Sequence, residues 1–372
     1  MMNDERRHSS FVVTSEVDMI GLIPVENNDT RAAVSALLTK VLQSGMVDAL
    51  LVPLRNPAGD AVTPALVKNP ALLNEADPLA PVLPVNGARL ASMLTQHSPR
   101  PRLSVVMRSC EIRALVELVK LQQASLDGMT IVGVDCTGTY EVPDYARIAK
   151  GADPATCALR PACDMCEYPA PASADIVIQQ IGVDNSTALH VEAKGAWPQV
   201  LGLTEAQSNG RGPALNKLVA QRSAKRDAVF AEMQAQVNSP DKLAAMFSTC
   251  IRCHNCMTNC PICYCKTCFF KTNVFDHEPM QFMAWAERKG ATRMPADTVL
   301  FHLTRMNHMS TSCIGCGLCT SACPVDINVG AAFRTVAAKT QAVFNYVAGQ
   351  SVDDPIPVKN FEVNELQQLG EH

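Results

Sequence analysis

Cysteine spacing constrains this chain more than any other feature. Cys250, Cys253, Cys256 and Cys260, followed by Pro261, read C-x2-C-x2-C-x3-C-P, and Cys313, Cys316, Cys319 and Cys323, followed by Pro324, repeat the pattern. Three thiols at this pitch lie on one tight loop that can wrap a cubane of iron and sulfide. In two-cluster proteins the fourth cysteine of each run ligates the other centre. The spacing therefore assigns Cys250, Cys253, Cys256 and Cys323 to one [4Fe-4S] centre, and Cys313, Cys316, Cys319 and Cys260 to a second. Zinc is the competing metal, but its sites usually show two C-x2-C pairs rather than triplets with a distant fourth C-P.

The remaining cysteines set the organisation. Of sixteen, none falls in the first 109 residues, and five stand at Cys110, Cys136, Cys157, Cys163 and Cys166. A disulfide framework suits small secreted domains, and 372 residues make a chain too long for that class. The N-terminal "MMNDERRHSSFVV" has no apolar core of a secretory signal, and no run approaches the roughly 18 apolar residues of a membrane span. A cytoplasmic location is the expectation. A net charge of -4 gives no basic field for nucleic acid.

Upstream of the cysteine-rich part the pattern is α/β. Residues 17–23 read as a strand, "DTRAAVSALLTKVLQSG" as a helix capped by Asp29 and closed at Gly45, and 47–53 as a buried strand. This β-α-β order predicts parallel pairing of the two strands. Residues 76–88, rich in proline and small residues, read as a long functional loop. A second unit follows: strand 103–107, amphipathic helix 110–123, strand 130–135. Strands joined by one helix run parallel, so Cys110 and Cys136, each just past a strand, should meet at one sheet edge, where open α/β sheets bind ligands. Cys163 and Cys166 form a C-x2-C pair, and "DIVIQQIGV" and "TALHVEA" a hairpin around "DNS". The expected organisation is an α/β domain with a parallel sheet over 1–193, a linker and connecting helix over 194–240, an α-helical two-cluster ferredoxin module over 241–345 and a tail over 346–372.

On topology alone, Cys110 and Cys136 are either two further ligands beside Cys163 and Cys166 or buried thiols, a common state of free cysteine. No G-x-G-x-x-G follows a strand, so this is not a Rossmann site. Asn86, Arg108 and Arg113 lie near the expected edge. An arginine there faces a pyrophosphate or makes a surface salt bridge. His254 and His277 are set aside as ligands. Cys263, Cys265 and Cys268 in "ICYCKTC" read as thiols packed beneath the clusters, or as another metal site completed by Cys157 or a residue of a partner.

The segments "RSCEIRALVELVKLQQ", "IVGVDCTGTYEVPDY" and "RPACDMCEYPAPASADI" resemble the beta-subunit family of coenzyme F-420 (deazaflavin) hydrogenases and dehydrogenases, and "RAAVSALLTKVLQSGMVDALLV" and "ADPLAPVLPVNGA" extend the likeness. With the appended cluster motifs the chain looks most like a formate dehydrogenase beta subunit. The helical spacer between the motifs resembles the ferredoxin module of succinate dehydrogenase iron–sulfur subunits and of heterodisulfide reductase subunits. The resemblance implies one FAD and a third [4Fe-4S] cluster on Cys110, Cys136, Cys163 and Cys166, with Cys157 as runner-up ligand. The family often reads A-D-I-x-x-G where this chain has Gln179, which implies a changed flavin or substrate environment. The expected role is an electron-transfer subunit: FAD exchanges a hydride with deazaflavin or NAD(P), and the clusters pass single electrons to or from a molybdenum or tungsten formate dehydrogenase or a heterodisulfide-reductase-like partner. The alternative is a flavin-free iron–sulfur wire between two other subunits.

Overall fold

The computed structural model describes residues 19–96, 100–206, 210–290, 297–357 and 359. The first two residues of the expected strand 17–23 and most of the expected tail lie outside them.

The α/β part comprises β1 (Met19–Pro24), α1 (Thr30–Gln43), β2 (Ala49–Arg55), β3 (Val62–Val67), α2 (Gly87–Thr95), β4 (Leu103–Arg108), α3 (Ser109–Lys120), β5 (Met129–Val134), α4 (Val142–Ala149), α5 (Pro161–Asp164), β6 (Ile176–Ile178), β7 (Ala188–Ala193), α6 (Trp197–Leu201) and β8 (Thr204–Glu205). The helical part comprises α7 (Arg211–Val237), α8 (Pro240–Met246), α9 (Asn255–Thr258), α10 (Pro279–Lys289), α11 (Asp297–Met309), α12 (Leu318–Ser321) and α13 (Val329–Val343).

The strands form one sheet in the order β3-β2-β4-β5-β6-β7-β1-β8. The parallel core is β2, β4, β5 and β6, with Leu103 opposite Met129 and Arg108 opposite Val134. One expectation needs correction. β1 and β2 do not pair: β1 lies antiparallel between β7 and β8, and β2 lies between β3 and β4. The β-α-β order fixes a common strand direction but not adjacency, because α1 spans four intervening strands. The expected hairpin forms, with a first strand of three residues. Asn185 holds its turn, donating to the Gln179 carbonyl (2.7 Å) and accepting from the His190 N–H (3.0 Å).

Alternate residues of each strand feed opposite cores, as a period of two requires. Leu50, Val52, Val106 and Val132 pack with α1 and α6, while Leu51, Leu103, Val105 and Met107 pack with α2, α3 and the helical part. Burying each such side chain stabilises the fold by about 1.5–3 kcal/mol. Phe247, Cys256, Phe301 and Phe333 share a continuous core with Leu103 and Met107, so the cysteine-rich part is fused to one face of the sheet.

Two expected boundaries shift accordingly. Residues 197–205, assigned to the linker, belong to the sheet layer: Trp197 is buried against α1, and β8 pairs with β1. The expected tail begins as structure. Tyr346 and Ala348 are buried, and the Tyr346 hydroxyl donates to Glu117 Oε1 at 2.5 Å. Among the described residues, no helix is long and apolar enough to cross a membrane.

Candidate functional site

The C-terminal edge of the parallel strands carries the first cysteine set. α3 starts directly after β4 and places Cys110 on its first turn, and Cys136 follows β5 by one residue beyond Asp135. The parallel register brings the two thiols together. Burial first, then the Glu111 carboxylate, pushes the Cys110 thiol well up, with Cys136, Cys316 and Cys166 adding to the rise. Cys163 lies close to both Cys136 and Cys166, and its sulfur is 3.1 Å from the Thr139 hydroxyl. Burial is also the main reason that Cys166 is pushed up to about 11. Cys157 stands apart, closing the 154–156 turn, its sulfur 3.9 Å from Thr156 Oγ1.

The loop behind this set is clamped. Asp135 is fully buried, accepts from the N–H groups of Gln180 (3.0 Å) and Ile181 (3.2 Å), and pairs with Arg211 at the start of α7. Further along the same face of α7, Arg222 donates to the Cys136 carbonyl (3.3 Å) and the Thr137 carbonyl (2.5 Å). The connecting helix thus fixes the cysteine loop instead of merely spanning two parts.

The two cluster motifs fold alike. The third and fifth residues of each have positive φ: Arg252 (57°) and His254 (60°) in the first, Gly315 (72°) and Gly317 (71°) in the second. Each is followed by a four-residue helix, α9 or α12. Non-glycine residues accept the left-handed region at a cost of about 1 kcal/mol or more. The repeated geometry therefore reflects a common demand for a tight loop. Gly317 has a second reason, because a Cβ there would stand 2.2 Å from the Cβ of Ala162.

Across the motifs the thiols group in the crossed sense. Cys250, Cys256, Cys253 and Cys323 are mutual neighbours. A cavity is lined by Cys260, Cys313, Cys316 and Cys319, with Arg305 and Met309. Burial pushes the Cys316 thiol up to about 12, with the nearby Cys260 the next cause. Among the described residues, no three His, Cys, Asp or Glu side chains converge closely enough to hold one metal ion. A cubane spreads its four thiolates over four irons and needs them further apart than a single ion does.

Two residues on α11 reach these thiols. His302 Nε2 lies 3.4 Å from Cys250 Sγ, with the ring stacked on Phe247 at 3.8 Å. Burial, reinforced by the Arg305 charge, lowers His302 to about 3, so it is neutral. Arg305 Nη1 donates to Cys256 Sγ at 3.1 Å. Neither was selected from the sequence; the i, i+3 pairing on a helix facing the first motif was the available signal.

The residues expected near a flavin have mixed placements. Arg113 and Arg108 are buried, and neither forms a surface salt bridge or faces an open edge. Arg113 donates to the carbonyls of Ala348 (3.1 and 2.7 Å) and Ile314 (3.1 Å), and its guanidinium stacks on Tyr168. Arg108 donates to the Pro78 (3.1 Å) and Ala80 carbonyls, fixing the 76–86 loop. Asn86 caps α2 by accepting from the Ala88 N–H at 3.0 Å, and its buried Nδ2 has no partner. Arg31 and Arg55, missed in the sequence, converge with Arg108 on the half-buried Asp77, each with one buried nitrogen unpartnered. Gln179, in place of the family's glycine, is fully buried and donates to Glu192 across the hairpin.

Cys263 and Cys268 are half-buried against the core, Cys265 is exposed, and Cys268 lies 3.6 Å from Met257 Sδ. The three thiols are therefore not all packed beneath the clusters. His254 lies against Phe301 in a tilted contact, and His277 lies edge-on to Trp285.

This arrangement defines the class: an α/β sheet fused to an iron–sulfur module, and residues 246–327 match the 4Fe-4S dicluster domain. The chain is similar to the F420-dependent formate dehydrogenase subunit beta of Methanocaldococcus jannaschii, 24% identical across 87% of this chain and 93% of that protein. It is equally similar to the F420-dependent formate dehydrogenase 1 subunit beta of Methanococcus maripaludis, 24% identical across 90% of this chain and 94% of the relative. The resemblance read from the cysteine and helix motifs thus extends over most of the chain. Among solved structures, a chain from the xenon-derivatised F420-reducing [NiFe] hydrogenase complex of Methanosarcina barkeri aligns with a TM-score of 0.45 at 12% identity. That alignment covers 59% of this chain and 94% of the other.

Proposed function

We propose that this protein is the electron-transfer beta subunit of a formate-dehydrogenase-type oxidoreductase. FAD held near the sheet edge would supply hydride exchange with a soluble carrier, a deazaflavin or NAD(P), and three [4Fe-4S] centres held by the cysteine sets would supply one-electron transfer to or from a catalytic partner. The observation that carries the reading is continuity of the cysteine sets. Cys110 neighbours Cys316, Arg160 donates to both the Thr139 hydroxyl beside Cys163 (3.3 Å) and the Cys316 carbonyl (3.0 Å), and Cys260 couples the second motif to the first. The series ends at the exposed Cys253, flanked by Ile251 at 55% exposure, where a partner's acceptor can approach.

The flavin's part is supported by the unpartnered buried nitrogens of Asn86, Arg31 and Arg55, donors suited to a phosphate-bearing cofactor. When bound, the flavin supplies the step between two-electron and one-electron chemistry. This chain's residues anchor the loop, exclude water and orient the thiols. The commitment of Arg108 and Arg113 to carbonyls is the observation favouring the alternative, a flavin-free wire. Iron, sulfide and flavin analysis of the anaerobically purified chain decides between them. About twelve irons and one FAD per chain, with bleaching by a reduced deazaflavin, NADH or NADPH, support the proposal, since each centre holds about four irons. Iron without flavin leaves the wire.

A further inference from the structure

Arg305 is 4% exposed, and its surroundings differ from those of the other buried arginines. Arg334 pairs with Glu167, while Arg160 lies 3.8 Å from Glu141. Arg113, Arg108 and Arg222 each bond two main-chain carbonyls. Among the described residues, no carboxylate pairs with Arg305. Its Nη1 donates to Cys256 Sγ at 3.1 Å, its Nη2 to the Cys256 carbonyl at 3.0 Å, and its buried Nε has no partner. The same guanidinium lines the cavity of Cys260, Cys313, Cys316 and Cys319. It lies between the rings of Phe333 (4.9 Å) and Phe301 (5.5 Å), which keep water away.

A buried charge without a counter-charge is strongly unfavourable. Each cubane ligated by four thiolates is a net anion and gains a further negative charge when reduced. A cation fixed between two such centres therefore offsets its own burial cost and stabilises the reduced state more than the oxidised one. Hydrogen bonds to cluster sulfurs act in the same direction, and burial amplifies both effects. His302, one turn earlier on α11, adds a second contact to the outer set through Cys250 Sγ at 3.4 Å.

We propose that Arg305 is the shared counter-charge of the two C-terminal [4Fe-4S] sites and sets their reduction potentials upward, the Cys250/Cys253/Cys256/Cys323 centre most, through its direct contact with Cys256. This rests on the cluster assignment proposed above. It gives the outer centre the higher potential of the pair and biases electrons toward the exposed end of the chain.

The test is an EPR-monitored redox titration of the full chain, purified anaerobically, with iron counted in every sample. Arg305→Gln at wild-type iron content is expected to lower the midpoint of the Cys250/Cys253/Cys256/Cys323 centre tenfold in its reduction equilibrium, about 59 mV for one electron. Arg305→Lys keeps the charge but loses the forked contact, so a smaller fall is expected. Wild-type midpoints in Arg305→Gln with full iron overturn the proposal and leave Arg305 a packing residue. If Arg305→Gln loses iron, Arg305→Lys decides: a lowered outer midpoint supports the proposal, and unchanged midpoints overturn it. A wild-type chain without iron–sulfur centres overturns the proposed function itself, and its own iron count distinguishes that failure.

Discussion

The Arg113 guanidinium grips the Ala348 carbonyl through both Nε (3.1 Å) and Nη2 (2.7 Å), across 235 residues of chain. Its third bond, to the Ile314 carbonyl, reaches the loop of the second cluster motif. Arg113→Met leaves these carbonyls unsatisfied in the core, at about 1–3 kcal/mol each. The expected result is a clear fall in thermal midpoint of the anaerobic protein, with flavin content unchanged at permissive temperature. Loss of flavin without loss of stability would instead return Arg113 to a cofactor site.

Gly317 touches Ala162 where the two cysteine-bearing parts meet. Gly317→Ala introduces a Cβ 2.2 Å from that of Ala162 and strains a backbone at φ +71°. The loop must move, and with it Cys316 and Cys319. Iron analysis of the variant is expected to show about four fewer irons per chain, one centre's worth.

The first cysteine set is separable from Cys157. Cys136→Ser is expected to remove about four irons, while Cys157→Ser keeps the wild-type count, because Cys157 closes a turn of its own. Equal iron loss in both variants would bring Cys157 into the ligand set.

Asn86 has two separable functions. Asn86→Ser keeps an oxygen that can cap α2 and removes the unpartnered Nδ2 donor. Exchanging one good cap for another costs well under about 1 kcal/mol. The fold should persist while flavin retention on gel filtration falls. Wild-type retention would show that Nδ2 does not serve the flavin.

Asp77 gives a pH dependence. Burial raises its pKa above the ordinary carboxylate value, despite the opposing charges of Arg55, Arg31 and Arg108. The folded state therefore binds this proton more tightly than the unfolded chain. The stability it confers is present below the unfolded pKa of about 4 and is lost as pH rises through the raised value. In the flavin-free protein, Asp77→Asn should gain in thermal midpoint relative to wild type as pH rises above about 4 and show no gain in more acid solution. A gain that grows toward acid would contradict this.

Much of the candidate site was legible because its signals are local. The two C-x2-C-x2-C-x3-C-P runs fix loop geometry within eleven residues, and the structure repeats one backbone pattern in both. The meeting of Cys110 and Cys136 followed from one parallel crossover, a rule of chirality and sheet pairing. The arginines were not legible in this way. A guanidinium can serve a phosphate, a carboxylate or a carbonyl, and which one it meets depends on chain hundreds of residues distant.

The sequence alone thus determined the loop pattern of each cysteine motif and the strand and helix periods, because each rests on spacing along a few turns of chain. Tertiary structure decided the rest. It separated β1 from β2 by four strands, added residues 197–205 to the sheet layer and 346–349 to the core, committed Arg108 and Arg113 to carbonyls, and set Arg305 between two groups of thiols. These outcomes depend on which buried polar group finds which partner, a choice made only when the helical part closes over the sheet.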